Sequence, residues 1–215
     1  MIASNTACKN AQSKEKEITE KPIINLILLG PPGCGKGTQA KRMEAQYDLT
    51  SISTGELFRA EIAAATPLGK LANMYISKGQ LCPDSVTLKM LYDFIQKHER
   101  SHGFIFDGVP RTINQAEIID KMTLKKHMPL CQAVYFDVEE EELIRRILYR
   151  SQIAGRADDN RQIAHLRIAE YYDKTHPLVE YFEKQNRLMR INGMQTEDEV
   201  FAEVCRNINA FMASL

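Results

Sequence analysis

Apolar residues fall along this chain in short continuous runs, separated by stretches in which they recur every three or four positions. The run Ile23-Ile24-Asn25-Leu26-Ile27-Leu28-Leu29 is almost wholly apolar and stops at Gly30. Such a run predicts a strand buried on both faces of a parallel sheet. Shorter runs at Gly103 to Phe106 and Ala133 to Phe136 each end in an acid, Asp107 or Asp137. A last one lies at Leu188 to Ile191. Helical periodicity fills the intervals, notably from about Lys36 to Tyr47 and from about Thr196 to Phe211. Strands alternating with helices predict an α/β fold, a parallel sheet covered by helices on both faces.

Two regions interrupt the alternation. Residues 53–82 read as helical segments with no strand, broken at Thr66-Pro67, and form a candidate insert. Residues 139–186 read as long helices broken near Ser151 to Gly155 and at Pro177. The first 22 residues are rich in Lys, Glu, Ser, Asn and Ala, and predict a disordered N-terminal extension without the apolar core of a secretory signal.

Composition narrows the function classes. The 215 residues are 44% hydrophobic and 26% charged, enough for one domain with a substantial core. Lys plus Arg and Asp plus Glu both number 28, so no nucleic-acid-binding surface is expected from net charge. No apolar run approaches the roughly 18 residues that suggest a membrane span, and no membrane partner is expected. The five cysteines have no zinc spacing and are odd in number. They read as reduced thiols in a cytoplasmic compartment.

The strongest chemical signal is Gly30-Pro31-Pro32-Gly33-Cys34-Gly35-Lys36-Gly37-Thr38, which follows the first strand and opens a helix. Glycines allow backbone N–H groups to approach phosphate oxygens, and the helix N-terminus adds partial positive charge. Lys36 can reach the β- and γ-phosphates. This is the phosphate loop of P-loop NTPase-type folds, with Gly37 standing where Ser or Thr usually follows the lysine. Asp107 ends a strand, where parallel sheets place ligands. Ser53 to Glu56 and Thr112 to Gln115 have capping-box spacing. Arg146 and Arg150 share a helix face, with Arg156 and Arg167 beyond. Surface pairs Glu141 with Arg145 and Glu142 with Arg146 are expected at i,i+4. Asp158 and Asp159 are placed to orient the arginines and to cap the helix near Asn160.

Together, Gly30 to Gln39, Ser53-Thr54-Gly55-Glu56, Asp107-Gly108-Val109-Pro110-Arg111-Thr112 and Gly155-Arg156-Ala157-Asp158-Asp159-Asn160 resemble the nucleoside monophosphate kinases, most closely the short-lid adenylate kinase family. The resemblance covers residues 23–215. It implies a five-stranded sheet, an AMP-binding insert at 53–82 and a short lid at 150–156. The implied activity is reversible phosphoryl transfer from Mg-ATP to AMP giving two ADP; a UMP/CMP kinase is the alternative, with Thr54 and Gln115 discriminating. The implied ATP site is Gly33, Cys34, Gly35, Lys36, Gly37, Thr38, Arg146, Arg150 and Gln195. The implied AMP site is Thr54, Arg59, Gln80, Leu81, Cys82, Gly108, Val109, Pro110, Arg111, Gln115, Arg156 and Arg167. Lys36, Arg111, Arg150, Arg156 and Arg167 would carry the transfer, with Mg2+ held mainly by phosphates and water and Asp107 nearby. No zinc is expected, since the lid interval lacks cysteine. Val109 replaces the aromatic residue usual at its position. Closure of lid and insert would exclude water, with no covalent intermediate, in a monomer.

Overall fold

In a computed structural model, residues 23–154 and 159–214 are described. Five parallel strands form one sheet: β1 (Leu26–Leu29), β2 (Thr50–Ser53), β3 (Phe104–Asp107), β4 (Gln132–Asp137) and β5 (Leu188–Asn192), in the order β2-β3-β1-β4-β5. The helices are α1 (Lys36–Tyr47), α2 (Thr54–Ala63), α3 (Pro67–Ile76), α4 (Asp84–Lys97), α5 (Ile113–Lys125), α6 (Glu140–Ala154), α7 (Arg161–Glu170), α8 (Pro177–Glu183) and α9 (Glu197–Met212). A π-helical turn, Tyr171–Thr175, joins α7 towards α8. No helix among the described residues is long and apolar enough to cross a membrane.

Successive side chains of a strand point to opposite faces, so a central strand feeds two cores. Leu26 and Leu28 pack with Met43 of α1, Leu143 and Ile147 of α6, and Val204 and Ile208 of α9. Ile27 and Leu29 pack on the other face with Leu91 of α4, Ile119 of α5 and Phe182 of α8. All four β1 residues are buried, as the continuous apolar run required.

The strand starts at Leu26 rather than Ile23. Asn25 is buried and ties the strand mouths together: Nδ2 donates to Pro129 O at 2.9 Å and Oδ1 accepts from Phe104 N at 3.0 Å. The second departure is β2, which the apolar pattern missed. Of its residues Thr50-Ser51-Ile52-Ser53 only Ile52 is buried, so this edge strand owes its existence to pairing with β3. Its Ser51 N–H, at the sheet edge, donates to Glu44 Oε1 at 2.8 Å.

Local signals explain the helix ends. Thr66 caps α3 by accepting from Gly69 N, with Pro67 in the first turn; Thr112 caps α5; Thr196 and Glu199 form a reciprocal capping box on α9. Ser53 precedes α2 in extended conformation but makes no side-chain cap, because its hydroxyl turns to Asp107 Oδ2 at 3.4 Å. Asn160, not Asp159, caps α7 by accepting from Ile163 N at 2.9 Å. Helix α6 continues to Ala154, ending inside the Ser151 to Gly155 interval where a break was expected. The extension 1–22, and Gly155 and Arg156 of the expected 150–156 lid, lie outside the described residues, as do Ala157 and Asp158.

Helices α2 and α3 cross closely because Gly69 has no side chain. A Cβ there would run into the Glu61 carbonyl. Gly69→Ala should therefore destabilise by about 1–3 kcal/mol of overpacking, against the roughly 1 kcal/mol that alanine gains in a helix interior. A thermal or urea melt in which this variant equals or exceeds the parent would refute the close crossing.

Candidate active site

The cavity at the C-terminal edge of the sheet measures about 940 Å³. The loop after β1 forms its floor. Gly35 (φ 99°) begins α1 in a left-handed conformation, and a Cβ there would meet nothing, so the loop backbone faces open space. Gly33 (φ 88°) approaches α6 so closely that a Cβ would lie 2.9 Å from Leu143 O. The Lys36 ammonium is folded onto its own loop, donating to Gly30 O at 2.6 Å and Pro31 O at 3.0 Å, with Cys34 Sγ at 3.4 Å. Cys34 is itself buried in the first core. The loop thus offers backbone amides, one cation and a helix N-terminus to an anion.

From this floor the cavity runs in two directions. One is walled by the start of α2, the Gly79–Cys82 segment and the loop after β3. Thr54 is buried and its hydroxyl donates to Gly108 O at 3.0 Å. Arg111 Nε donates to the same carbonyl at 2.8 Å. Gln115, also buried, accepts from Arg111 N at 2.7 Å and donates to Asp84 Oδ1 at 2.6 Å, which fixes its amide plane. Gln115 therefore reaches back one residue beyond the Thr112 cap instead of closing a reciprocal box. Arg59, Gln80, Leu81, Cys82 and Gly108 line the same end. Val109 and Pro110 do not; both are buried behind the wall, Val109 in the second core, and the bond between them is cis.

The other direction is walled by α1, α6 and the segment from Gly193 to Val200. Arg146 Nη2 donates to Gly193 O at 3.0 Å, and its Nε pairs with Glu142 at 2.6 Å. Glu142 also holds Arg145, three residues on, rather than Glu141 doing so; hydrogen bonds from Arg145 and then Arg146 pull its carboxyl down to about 2. Gln195 lines this end, its amide donating to Glu203 at 2.9 Å.

Between the two directions the cations converge. Asp159, with no exposed side-chain surface, accepts two hydrogen bonds from Arg150 at 2.7 and 2.8 Å and one from Arg167 at 2.7 Å. Burial alone would raise its carboxyl pKa, but Arg150 and then Arg167 outweigh burial and hold it below the ordinary range. Arg111 lies within their field. Burial, then the charges of Arg167 and Arg59, disfavour its charged form, while Asp107 and Cys82 support it. A guanidinium stays charged in proteins, so this strain is a demand for an anion. Arg156, the remaining expected arginine, and Asp158 lie outside the described residues.

Sequence reasoning missed Asp84, which holds Gln115, and Glu170, whose Oε1 accepts from Leu81 N at 3.3 Å. Glu170 stands three residues after Arg167 on a helical path, a spacing that could have placed it on the same face. Among the described residues no cluster of three His, Cys, Asp or Glu side chains could hold a metal ion by itself. Asp107, whose Oδ2 lies 3.8 Å from where a Gly37 Cβ would sit, offers one hard oxygen beside the loop. That suits Mg2+, which keeps several waters and takes most other ligands from phosphates.

The clamp has a pH signature. A carboxyl with a depressed folded-state pKa contributes stability above its unfolded value, near 4, and loses it as pH falls through the folded value. Asp159→Asn should lower Tm at neutral pH and flatten the fall of Tm below about pH 4. Identical acid slopes in parent and variant would show that Asp159 does not carry this linkage.

A family model described as adenylate kinase matches residues 28–187. An adenylate kinase of Bacteroides thetaiotaomicron is 38% identical over 187 residues, covering 87% of this chain and 99% of its own. One of Phocaeicola vulgatus is 40% identical over 182 residues, covering 85% and 96%, and one of Flavobacterium psychrophilum 39% over 188 residues, covering 87% and 99%. By this match, over most of its length and with the phosphate loop and arginine cavity in place, the chain belongs to the adenylate kinase family.

Proposed function

We propose that the family's reaction, ATP + AMP giving two ADP, runs in this cavity with ATP on the 30–38 loop and AMP at the end lined by Thr54, Arg59 and Gln115. The observation that carries it is the convergence of Arg111, Arg150, Arg167 and Lys36 on one space between two arms. So many cations around one cavity are favourable only with anions among them, and two nucleotides meeting phosphate to phosphate supply these.

In this reading Lys36 leaves the Gly30 and Pro31 carbonyls for the donor's β- and γ-phosphates. Arg111 and Arg59 bind the AMP phosphate. Gln115, held by Asp84 and Arg111 N, presents its remaining N–H and lone pair to adenine, and Thr54 shapes the wall beside the base. Gln80, Leu81 and Cys82 complete that wall, while Arg146 and Gln195 flank the donor. Arg150 and Arg167, aligned by Asp159, face the moving phosphoryl group, and Arg156 belongs with them by its place in the motif. An AMP phosphate oxygen then attacks the γ-phosphorus in line. The protein contributes positioning and fixed positive charge, with no covalent enzyme intermediate. Asp107 would hold Mg2+ through water, and the bound ion would neutralise phosphate charge. The 53–82 insert and the 150–156 lid would close over the substrates and keep water from the phosphoryl group. Both substrates share one cavity in one chain, which supports a monomer, and the buried free thiols Cys34, Cys82 and Cys131 suit a reducing cytoplasm.

Three measurements follow. ADP formation with Mg-ATP should require AMP, with UMP, CMP and GMP poor; preference for a pyrimidine would overturn the roles of Thr54 and Gln115. Lys36→Met should lower kcat about 100-fold or more with Tm little changed, and near-normal turnover would sink the loop assignment. Asp107→Asn should raise the Mg2+ concentration for half-maximal rate roughly 10-fold; an unaltered Mg2+ dependence would remove Asp107 from the ion's surroundings.

A further inference from the structure

Among the described residues, two buried side-chain polar atoms have no hydrogen-bond partner, and both belong to residues lining the cavity: Gln39 Oε1 and Tyr171 Oη. The Gln39 oxygen is the more specific, because a carbonyl oxygen can only accept. Gln39 sits on the first turn of α1, directly after the phosphate loop, and is 3% exposed. Its Nε2 donates to Glu197 O at 3.0 Å, which settles the amide orientation: the flipped form would set oxygen against oxygen. Arg42, which shares the Glu197 carbonyl with Gln39, is engaged elsewhere. Arg42 Nη1 is engaged by Glu197 O at 3.1 Å and Asp198 Oδ1 at 2.9 Å, with its guanidinium over the Phe201 ring. A buried acceptor left without a donor is costly, so such an atom marks a place where a donor can arrive.

On the reading above, the acceptor nucleotide fills the arm lined by Thr54, Arg59 and Gln115, so the donor's base enters the arm of Gly193, Gln195 and Val200 that Gln39 adjoins. ATP offers few hydrogen-bond donors. Its phosphates have essentially none at neutral pH, the ribose hydroxyls are common to all ribonucleoside triphosphates, and only the exocyclic 6-amine belongs to the base. We propose that Gln39 is a specificity-determining residue for the phosphoryl donor, its Oε1 accepting from the adenine 6-amine. Guanine carries an oxygen at that position, and two acceptors facing each other in a dry site repel. The preference for adenine over guanine triphosphate then arises on α1, through an amide whose other end is anchored to α9.

The test compares ATP, GTP and purine riboside 5′-triphosphate, which lacks the 6-amine, as donors to AMP. The parent protein and Gln39→Met, which keeps the volume but removes both amide groups, are measured side by side. In the parent, ATP should exceed both analogues in kcat/KM by about 10-fold or more. In the variant, ATP should fall about 10- to 100-fold and the analogues little, so the three converge, while KM for AMP and Tm hold. A parent that uses purine riboside triphosphate as well as ATP would overturn the assignment without any mutant. An equal loss for all three donors in the variant would overturn it too, leaving Gln39 only the task of joining α1 to α9. Failure of the parent to form ADP from ATP and AMP at all would instead remove the reading of the cavity on which the assignment rests.

Discussion

Asp159 holds together what would otherwise fly apart. Two guanidinium groups from α6 and α7 are brought to one buried carboxylate, and Arg111, Arg59 and Lys36 stand around the same space. Like charges gathered in a cavity with low-dielectric walls repel strongly, and Asp159, with Asp107 and Glu170 on the same cavity, does not balance all five. Folding supplies the remaining cost from two hydrophobic cores, one on each face of the sheet. The surplus positive charge is then available to phosphates, and on the proposed reading it meets the negative charge that phosphoryl transfer spreads over several oxygens.

Around that centre the structure orients cavity-lining groups through hydrogen bonds to their neighbours. Glu142 directs Arg146, Asp84 directs Gln115, and Gly108 O receives both Thr54 and Arg111. Arg146, Gln115, Thr54 and Arg111 are thereby held by hydrogen bonds in the absence of substrate, which lowers the ordering cost on binding. Lys36 is the exception. It rests on carbonyls of its own loop, and on the proposed reading it would exchange those bonds for phosphate oxygens. The same logic joins the Gly79–Cys82 segment to α7: Leu81 N donates to Glu170, one turn from Arg167, so that cavity wall and the arginine helix are tied by a hydrogen bond.

Much of this was legible along the chain. The β1 run, the loop that follows it and α1 came through because their signals are local: continuous apolarity, glycine geometry and helical period within a few residues. The Thr112 cap was equally local. Strand β2 was hidden because three of its four residues are polar and its pairing partner lies some fifty positions away. Ser53 showed a capping pattern, yet its hydroxyl turns to Asp107, a competitor that linear spacing does not reveal. The Val109 position carries a motif resemblance, but its side chain turns into the core rather than the cavity.

By itself, the sequence determined the alternation of strands and helices, the phosphate loop with Lys36, and the residue types that make an anion site. Those depend on short-range geometry, set by neighbours within a turn or a strand. Only the tertiary structure decided that Asp159 clamps Arg150 and Arg167, that Asp84 holds Gln115 and Glu170 holds Leu81, and that one amide oxygen of Gln39 is left without a donor. The reason is physical: hydrogen-bond satisfaction and charge balance in a buried site are properties of everything that converges there. That convergence comes from packing helices on both faces of a sheet whose strand order differs from their order along the chain.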